Sequence, residues 1–353
     1  MFYGKKISNK PLISVIIDTF NRPNELKNTI DHILNQTYQN IEIVLVDNAA
    51  NKITKKYIEN LRKNNKFKFL TYEKNQFSFE DPQRMIKICC NEALKICSGE
   101  LVFYLSDDDW IEKSFFSKII KLFILNEKCT SAIGRVKSYY NENKIISHPL
   151  KKQPVFLKGK ELCLDKAMSI NKFDQSNPGH SYVFKTDVLK FYGGFFAPLE
   201  THQLFGVVAF GESAFDKDAI MYWRRHENQL NKMLNKKCYF EGNYILDLLN
   251  QVENNIIDNW KKIYSLEESL IVENYFNQIV LYSFYKTFFC LIFKAKLFSA
   301  LSFYFKKNYI IRKKRLSLQI INKSLKEAFL RSYINHKYMA IIFYIKMLIL
   351  KKK

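Results

Sequence analysis

Blocks of apolar and polar residues succeed one another along the first 125 residues, and they predict strands and helices in turn. Short runs of apolar and β-branched residues are typical of buried strands, whereas apolar residues at helical spacing predict helices. The predicted strands are residues 12–17, 41–46, 67–72 and 101–105. The predicted helices are residues 24–36, 54–63, 82–97 and 114–125. This alternation predicts an α/β fold with a doubly wound, mostly parallel sheet.

Three consecutive carboxylates, Asp107, Asp108 and Asp109, follow the fourth predicted strand directly. Like charges this close repel one another, so their crowding favours a cation among them. A solvated acidic turn that caps the next helix is the alternative, because Asp is a favoured N-cap residue. The carboxyl ends of parallel strands meet at one edge of a sheet, where ligands of open α/β sheets bind. We therefore expect the loops at residues 18–23 and 47–51 to open beside the triplet.

The loop after the first strand limits what this edge can bind. A dinucleotide site needs a glycine-rich turn there, and residues 18–22 contain no glycine. No phosphate-binding loop of the Walker type is present either. Backbone amides are therefore not expected to hold phosphate groups. Aspartates that hold Mg²⁺ or Mn²⁺ against a diphosphate are the remaining economical arrangement.

Composition indicates a globular protein of a reducing compartment. The chain has 353 residues with 47% hydrophobic content, which is ample for a core. Its seven cysteines, an odd number that includes the adjacent Cys89 and Cys90, argue against a disulfide framework. The first residues lack the apolar core of a signal peptide. We therefore expect a cytoplasmic protein.

Positive charge is concentrated at the end of the chain. Residues 286–353 hold 17 Lys and Arg against one acid, Glu327, so they carry +16 of the formal +22. Whatever this basic region binds is expected to be separate from the chemistry at the Asp triplet.

Helical periodicity replaces the α/β pattern after about residue 231. The predicted helices are residues 243–252, 266–293 and 314–330. Lysines interrupt the apolar runs 288–293 and 338–345 before the roughly 18 residues that a membrane span requires. Apolar runs flanked by basic residues suit helices that lie on an anionic membrane surface. An ordinary helical subdomain with a solvated basic face is the alternative.

Three ordered blocks of the sequence resemble the family 2 glycosyltransferases of the GT-A fold. They are Ser14–Arg22, Gln36–Asp47 and Asn91–Asp109. In that family the first block forms the opening strand and nucleotide loop, the second ends in an Asp that contacts the nucleobase, and the third runs into the D-x-D metal motif. The chain departs from the family at Asp18, which replaces Pro, and at Asn48, which replaces an acid. The D-x-D motif has two possible registers: either Ser106 replaces its first acid, or the motif is Asp107-Asp108-Asp109.

The resemblance also implies site residues. Tyr222–His226 is similar to the Tyr-Arg-x-His ending of the family, with Arg224 facing the diphosphate and His226 facing the metal or the phosphate. The implied nucleotide-sugar contacts are Thr19, Asn21, Arg22, Asp47, Asn91, Asp107, Asp108 and Arg224. The implied ligands of Mn²⁺ or Mg²⁺ are Asp107, Asp109 and His226.

A possible general base follows from the same resemblance. In the family a Gly-Gly-Phe turn, here Gly193–Phe195, precedes an acidic base, with a glycine about eleven positions later. Glu200 and Gly211 have this spacing, so Glu200 is the expected catalytic base. A surface acid at a helix start is the alternative.

The domains expected are a GT-A domain at residues 1–230 and a basic helical region at residues 231–353. Within the first, residues 1–110 form the nucleotide-sugar half and residues 111–230 the acceptor half.

The expected activity is metal-dependent, inverting transfer of one sugar from a nucleotide-sugar, with a UDP-sugar as the expected donor. The expected acceptor is a hydroxyl of a surface glycan, such as capsule or lipopolysaccharide, or of a lipid-linked glycan. The Q-x-x-R-W signature of processive synthases is absent, which favours single transfer. The basic helices are expected to hold the protein peripherally on the inner face of the cell membrane.

Other classes of function remain as alternatives. The chain could be an inactive, transferase-like binding subunit, which the three substitutions would allow. A nucleotidyltransferase would need a glycine-rich activating loop that is lacking after the first strand. A nucleic-acid-binding protein is suggested by net charge alone, without a groove of interleaved basic and aromatic residues. No nucleic-acid partner is expected.

Overall fold

The computed structural model describes nine stretches of the chain, which fall into two compact units. The described residues are 1–77, 84–147, 154–170, 172–173, 181–196, 200–226, 244–293, 297–311 and 318–333. Those up to residue 226 belong to the first unit, and those from residue 244 onwards belong to the second.

The first unit contains an α/β sheet with helices between its strands. Its strands are β1 (Ile13–Thr19), β2 (Ile41–Asp47), β3 (Phe67–Thr71), β4 (Leu101–Tyr104), β5 (Trp110–Ile111), β6 (Cys129–Asn141), β7 (Lys144–Ser147), β8 (Phe156–Lys158), β9 (Tyr182–Lys185) and β10 (Glu212–Arg224). Its helices are α1 (Pro23–Leu34), α2 (Lys52–Leu61), α3 (Arg84–Ile96), α4 (Phe115–Leu125), α5 (Gly159–Ala167), α6 (Thr186–Phe191) and α7 (Glu200–Gly206).

The sheet has the order β3-β2-β1-β4-β9-β6-β10-β5, with β7 beside β6 and β8 beside β10. The strands of the first half, β3, β2, β1 and β4, all pair in parallel. In the second half β6 and β10 pair in parallel, whereas β9 and β5 add antiparallel contacts. The predicted α/β class is confirmed, and the carboxyl ends of β1, β2 and β4 lie at one edge as expected.

Burial explains why these strands form. All seven residues of β1 and all seven of β2 are buried, as in a parallel sheet covered by helices on both faces. Helix α4 contributes the aromatic rings of Phe115 and Phe116 to the same core, where they contact Phe103 of β4. This packing fixes the end of β4, from which the Asp triplet starts.

We expect acid to destabilise the first unit through His202, which is buried on α7. Burial lowers the pKa of His202 to about 4, against an ordinary value of roughly 6.5. The unfolded chain therefore binds the extra proton between these values, so stability is full above pH 6.5 and falls as the pH drops towards 4. Urea unfolding at pH 7 and pH 5 should show a loss of roughly 2 kcal/mol that His202→Gln removes. An equal loss in the variant would contradict the assignment.

The described part of the second unit is helical. Its helices are α8 (Tyr244–Ile263), α9 (Leu266–Phe293), α10 (Leu297–Ile311) and α11 (Leu318–Tyr333). Helix α9 has the predicted bounds, α8 continues beyond the predicted end at residue 252, and α10 was not predicted. The apolar run 288–293 belongs to α9, and Phe289, Cys290 and Leu291 are core residues. The run 338–345 lies outside the described residues.

None of the helices in the described ranges combines the length and the apolar character needed to cross a membrane.

Candidate active site

Asp107 lies between the carboxyl ends of β1 and β4 and contacts the loop that follows β1. The Thr19 hydroxyl donates to its Oδ2 at 2.8 Å, and the Arg22 guanidinium donates to its Oδ1 at 3.0 Å. Arg22 immediately precedes Pro23, the first residue of α1, so the helix start holds the guanidinium at the sheet edge. The structure thus brings together Thr19, Arg22 and Asp107, three residues from two of the predicted blocks.

Asp108 joins the same cluster from the other side of the guanidinium. Arg22 Nη1 lies 2.9 Å from Asp108 Oδ2, and His226 Nε2 lies 2.8 Å from that same oxygen. His226 follows β10, which pairs with β5 directly after the triplet. The pairing of β5 with β10 therefore places His226 next to Asp108, although the two residues are 118 positions apart in the sequence.

Asp109 is buried and has a different kind of partner. Its Oδ1 accepts the backbone N–H of Arg224 at 2.9 Å. The Arg224 guanidinium instead lies 3.7 Å from Glu25 Oε1 on α1. The Asp109 carboxylate thus ties β10 to the triplet.

The charges of the cluster are unevenly compensated. Burial raises the pKa of Asp107 and the Arg22 charge lowers it, but Asp108 and Asp18 raise it again, so it lies above its ordinary value. Burial also raises the pKa of Asp108, but the His226 hydrogen bond and the Arg22 charge outweigh burial and hold it below its ordinary value. One guanidinium is thus shared between the buried carboxyl group of Asp107 and the partly buried carboxylate of Asp108.

Thr29 on α1 hydrogen-bonds to the backbone of the Asp triplet. Its buried hydroxyl lies 3.0 Å from the carbonyl oxygen of Asp107 and 2.7 Å from that of Asp109. Thr29 was not among the predicted site residues, because a threonine inside a helix gives no signal of such a contact in the sequence.

We expect Thr29→Val to loosen the triplet while it keeps the side-chain shape. The change leaves two buried carbonyl oxygens without this donor, at a cost of roughly 1–3 kcal/mol. Urea unfolding should show this loss, and any transferase activity should fall by about tenfold. Thr37→Val, which removes an exposed hydroxyl, is the control and should change neither value by much. Unchanged stability in Thr29→Val would contradict the supporting role.

Asp18 takes the position where the family usually has proline. It is buried at the end of β1, and the Tyr104 hydroxyl donates to its Oδ1 at 2.7 Å. Burial raises the pKa of Asp18, and the Tyr104 hydrogen bond opposes this in part. The aspartate at this position is therefore hydrogen-bonded to Tyr104 of β4.

The end of β2 forms the second part of the predicted edge. Asp47 Oδ1 accepts the backbone N–H of Ala50 at 2.7 Å, which holds the turn after the strand. The buried Asn48 side chain donates to Asn75 Oδ1 at 3.0 Å and accepts the backbone N–H of Gln76 at 2.7 Å. Asn48 thus holds the loop after β3 against the end of β2. Because this side chain both donates and accepts a hydrogen bond, an amide suits the position where the family has an acid.

The first loop is joined to this turn by Asn21. Its Oδ1 accepts the backbone N–H of Asn51 at 2.6 Å, and its own φ is +57°. Asparagine tolerates this left-handed conformation better than most residues. The loops after β1 and β2 therefore contact one another, as the topology predicts.

The remaining predicted residues lie elsewhere in the first unit. Asn91 lies on α3. Its side chain exchanges hydrogen bonds of 2.8 and 3.0 Å with the backbone of Phe195, so it anchors the Gly-Gly-Phe turn. Glu200 is the first residue of α7, eleven positions before Gly211.

Among the aspartates of the triplet, Asp108 is the one that His226, a predicted metal ligand, contacts in the structure. Asp108 Oδ2 lies within hydrogen-bond distance of both His226 Nε2 and Arg22 Nη1. Asp107 accepts from Thr19 and Arg22, and Asp109 accepts from the Arg224 backbone. Within the described ranges, no three His, Cys, Asp or Glu side chains are arranged to hold a metal ion. Two protein ligands suit a cation that takes its other ligands from substrate phosphates and water.

The sheet order and the acidic edge at the carboxyl ends of its strands are those of a GT-A-type fold. The fold is confirmed by TarS of Staphylococcus aureus, residues 1–349 in complex with UDP-GlcNAc, which superposes with a TM-score of 0.58 and 16% identity. The match covers 91% of this chain and 81% of the TarS chain.

The family follows from the sequence comparisons. Residues 14–176 match the profile of the family "Glycosyl transferase family 2". Glycosyltransferase GlyA of Streptococcus pneumoniae is 29% identical over 135 residues, which are 37% of this chain and 17% of that protein. The Campylobacter jejuni GalNAc(5)-diNAcBac-PP-undecaprenol beta-1,3-glucosyltransferase is 32% identical over 111 residues, 31% of this chain and 34% of that protein. The family assignment therefore concerns residues 14–176, the part of the chain that matches the profile, and the chain spans about a third or less of these two relatives.

Proposed function

We propose that the protein transfers a single sugar from a nucleotide-sugar donor to an acceptor hydroxyl, with inversion at the anomeric carbon. The observation that carries this proposal is the cluster of Asp107, Asp108, Arg22 and His226 at the carboxyl ends of β1 and β4. This edge is where open α/β sheets bind their ligands. The family membership supports the same chemistry.

The donor would lie across the loops after β1 and β2. Thr19, Asn21 and Asp47 border the nucleoside end, where Asn21 and Asp47 order the two turns. Arg22 and Arg224 supply positive charge near the diphosphate, and arginine suits phosphate groups because of its forked donors. A UDP-sugar is the proposed donor, with support from the fold shared with TarS, which was solved with UDP-GlcNAc.

Asp108 and His226 would hold Mn²⁺ or Mg²⁺ at the diphosphate end of the site. Such an ion would neutralise charge on the diphosphate as it becomes the leaving group. Asp107, which Arg22 and Thr19 already hold, would face the donor ribose from beside this pair.

Glu200 would act as the general base at the start of α7. The acceptor oxygen forms a bond to the anomeric carbon while the bond from that carbon to the diphosphate oxygen breaks. The hydroxyl proton passes to the Glu200 carboxylate, and the nucleoside diphosphate leaves. A single displacement of this kind inverts the anomeric centre.

The proposed acceptor is a glycan carried by a lipid or by the cell surface. The name of the Campylobacter jejuni relative specifies a glycan on undecaprenol diphosphate. The net charge of +16 in residues 286–353 would place the chain against anionic lipid, at the inner face of the cell membrane.

A thermal-shift screen with UDP-, GDP-, CMP- and dTDP-sugars, with and without Mn²⁺, tests the donor. A ligand that binds the folded state raises the melting temperature by mass action. We expect a UDP-sugar to raise it in the presence of Mn²⁺, and release of UDP to accompany sugar transfer. If no nucleotide-sugar raised the melting temperature, the inactive binding subunit would be the better interpretation.

A further inference from the structure

Helix α10 in the second unit has an exposed apolar face. Phe298 is 90% exposed, Leu301 43% and Phe305 70%. Their spacing of three and four residues places them on one side of the helix, which we call the outer face of α10. Single exposed apolar residues are common on proteins, but three on one helix face form a continuous patch.

The opposite side of α10 already packs against the core of the second unit. Ala300 and Phe303 are buried, and the Phe303 ring lies 5.2 Å from that of Phe284 on α9. The exposed residues are therefore not needed for this packing. A helix with two apolar faces is normally buried on both of them.

We propose that the outer face of α10 docks onto an anionic lipid surface. The two charged residues of the helix sequence, Lys306 and Lys307, are both basic, and Arg312–Arg315 follows. Basic residues beside an apolar helix face are the arrangement by which helices lie in an anionic membrane interface. The apolar side chains would enter the acyl boundary, and the lysines and arginines would contact lipid phosphates.

The positive charge of the C-terminal region favours an anionic bilayer over the other possible partners of this face. A second copy of the chain would bring two basic regions of +16 together, and the repulsion opposes self-association through this face. A nucleic acid would attract the charge but offers no hydrocarbon phase for Phe298 and Phe305. An anionic bilayer satisfies both the charge and the apolar face.

This inference rests on the proposed function, in which the acceptor is carried by a lipid, and it names the surface of the protein that contacts the membrane. Its test uses neither donor nor acceptor, so its failure leaves the proposed sugar transfer untouched. The full-length protein is sedimented with vesicles of phosphatidylcholine alone, or of phosphatidylcholine and phosphatidylglycerol in equal amounts.

We expect binding to the anionic vesicles that weakens as salt rises. The double variant Phe298→Gln and Phe305→Gln should reduce partitioning by roughly a hundredfold, because each phenylalanine contributes about tenfold. The matched control is Ile53→Gln with Leu125→Gln, which removes apolar residues that are 70% and 74% exposed on the first unit. The control should bind as the unmodified protein does. Phe298→Gln alone serves if the double variant melts at a lower temperature.

Four results would overturn the proposal. They are failure of the unmodified protein to bind anionic vesicles, equal binding to phosphatidylcholine alone, unchanged binding by a folded outer-face variant, and equal loss of binding in the control. Sedimentation velocity adds a further check. A dimer that the double variant converts to a monomer would assign the face to a second copy instead.

Discussion

Asp108→Asn is expected to lower kcat/KM for sugar transfer by roughly a hundredfold to a thousandfold. The Asp108 carboxylate lies against both Arg22 and His226, and it is the carboxylate of the triplet best placed to share a cation with the histidine. An amide in its place keeps the side-chain volume but removes the negative charge that a cation needs. Steady-state kinetics over a range of Mn²⁺ concentrations measure the effect, and the Mn²⁺ concentration for half-maximal activity should rise.

The matched control for this variant is Asp31→Asn on α1. Asp31 is a half-exposed acid paired with Lys27 one helical turn away. The Asp31→Asn change removes the same charge without altering the Arg22, Asp108 and His226 contacts. Activity should remain within about twofold of that of the unmodified protein, since exposed ion pairs contribute little. Full activity of Asp108→Asn, with a melting temperature like that of the control, would remove Asp108 from the proposed metal site.

Local patterns allowed the first half of the fold to be predicted from sequence. Strands β1 and β2 are buried on both faces, so their sequences are apolar apart from Ser14 and Glu42 near their starts, and each ends in polar residues. Parallel pairing then brings Thr19 and Asp107 to one edge, where they form a hydrogen bond. The order of elements along the chain was sufficient for this part.

Long-range partners within the site could not be predicted. The triplet offers three similar carboxylates, and the sequence does not show which of them meets His226. That contact depends on the antiparallel pairing of β10 with β5, a strand of two residues. The support from Thr29 likewise depends on how α1 packs beneath the triplet.

The C-terminal helices illustrate a second limit of sequence patterns. Helix α10 is apolar on both its inner and outer faces, so Ser299, Ser302 and Lys306 form only a narrow polar stripe from which a helical period is hard to recognise. Within the apolar run 288–293, Phe289, Cys290 and Leu291 are buried in the core of the second unit. Tertiary packing, and not local hydrophobicity, decides which apolar residues remain exposed.

Glu200→Gln is expected to lower kcat for sugar transfer by about a hundredfold to ten-thousandfold, the usual contribution of a general base. Glutamine has nearly the same shape but cannot accept the acceptor proton. Donor binding should persist, because Glu200 starts α7 and the proposed donor contacts belong to the loops after β1, β2 and β4. The thermal shift with a UDP-sugar and Mn²⁺ should therefore equal that of the unmodified protein while transfer is lost. This split separates a base from a residue that merely holds the fold.

Glu161→Gln provides a matched control, because Glu161 is an acid in the first turn of the neighbouring helix α5. Both variants remove one negative charge near a helix start, where an acid stabilises the helix by about 0.3–1 kcal/mol. If Glu200 only stabilises α7, the two variants should lose similar stability and both should keep their activity. If Glu200 is the base, Glu200→Gln alone loses transfer, and its pH–rate profile loses the acidic limb that protonation of a carboxylate produces. Equal activity of the two variants would remove Glu200 from the reaction and leave the source of the base among the other residues of the acceptor half.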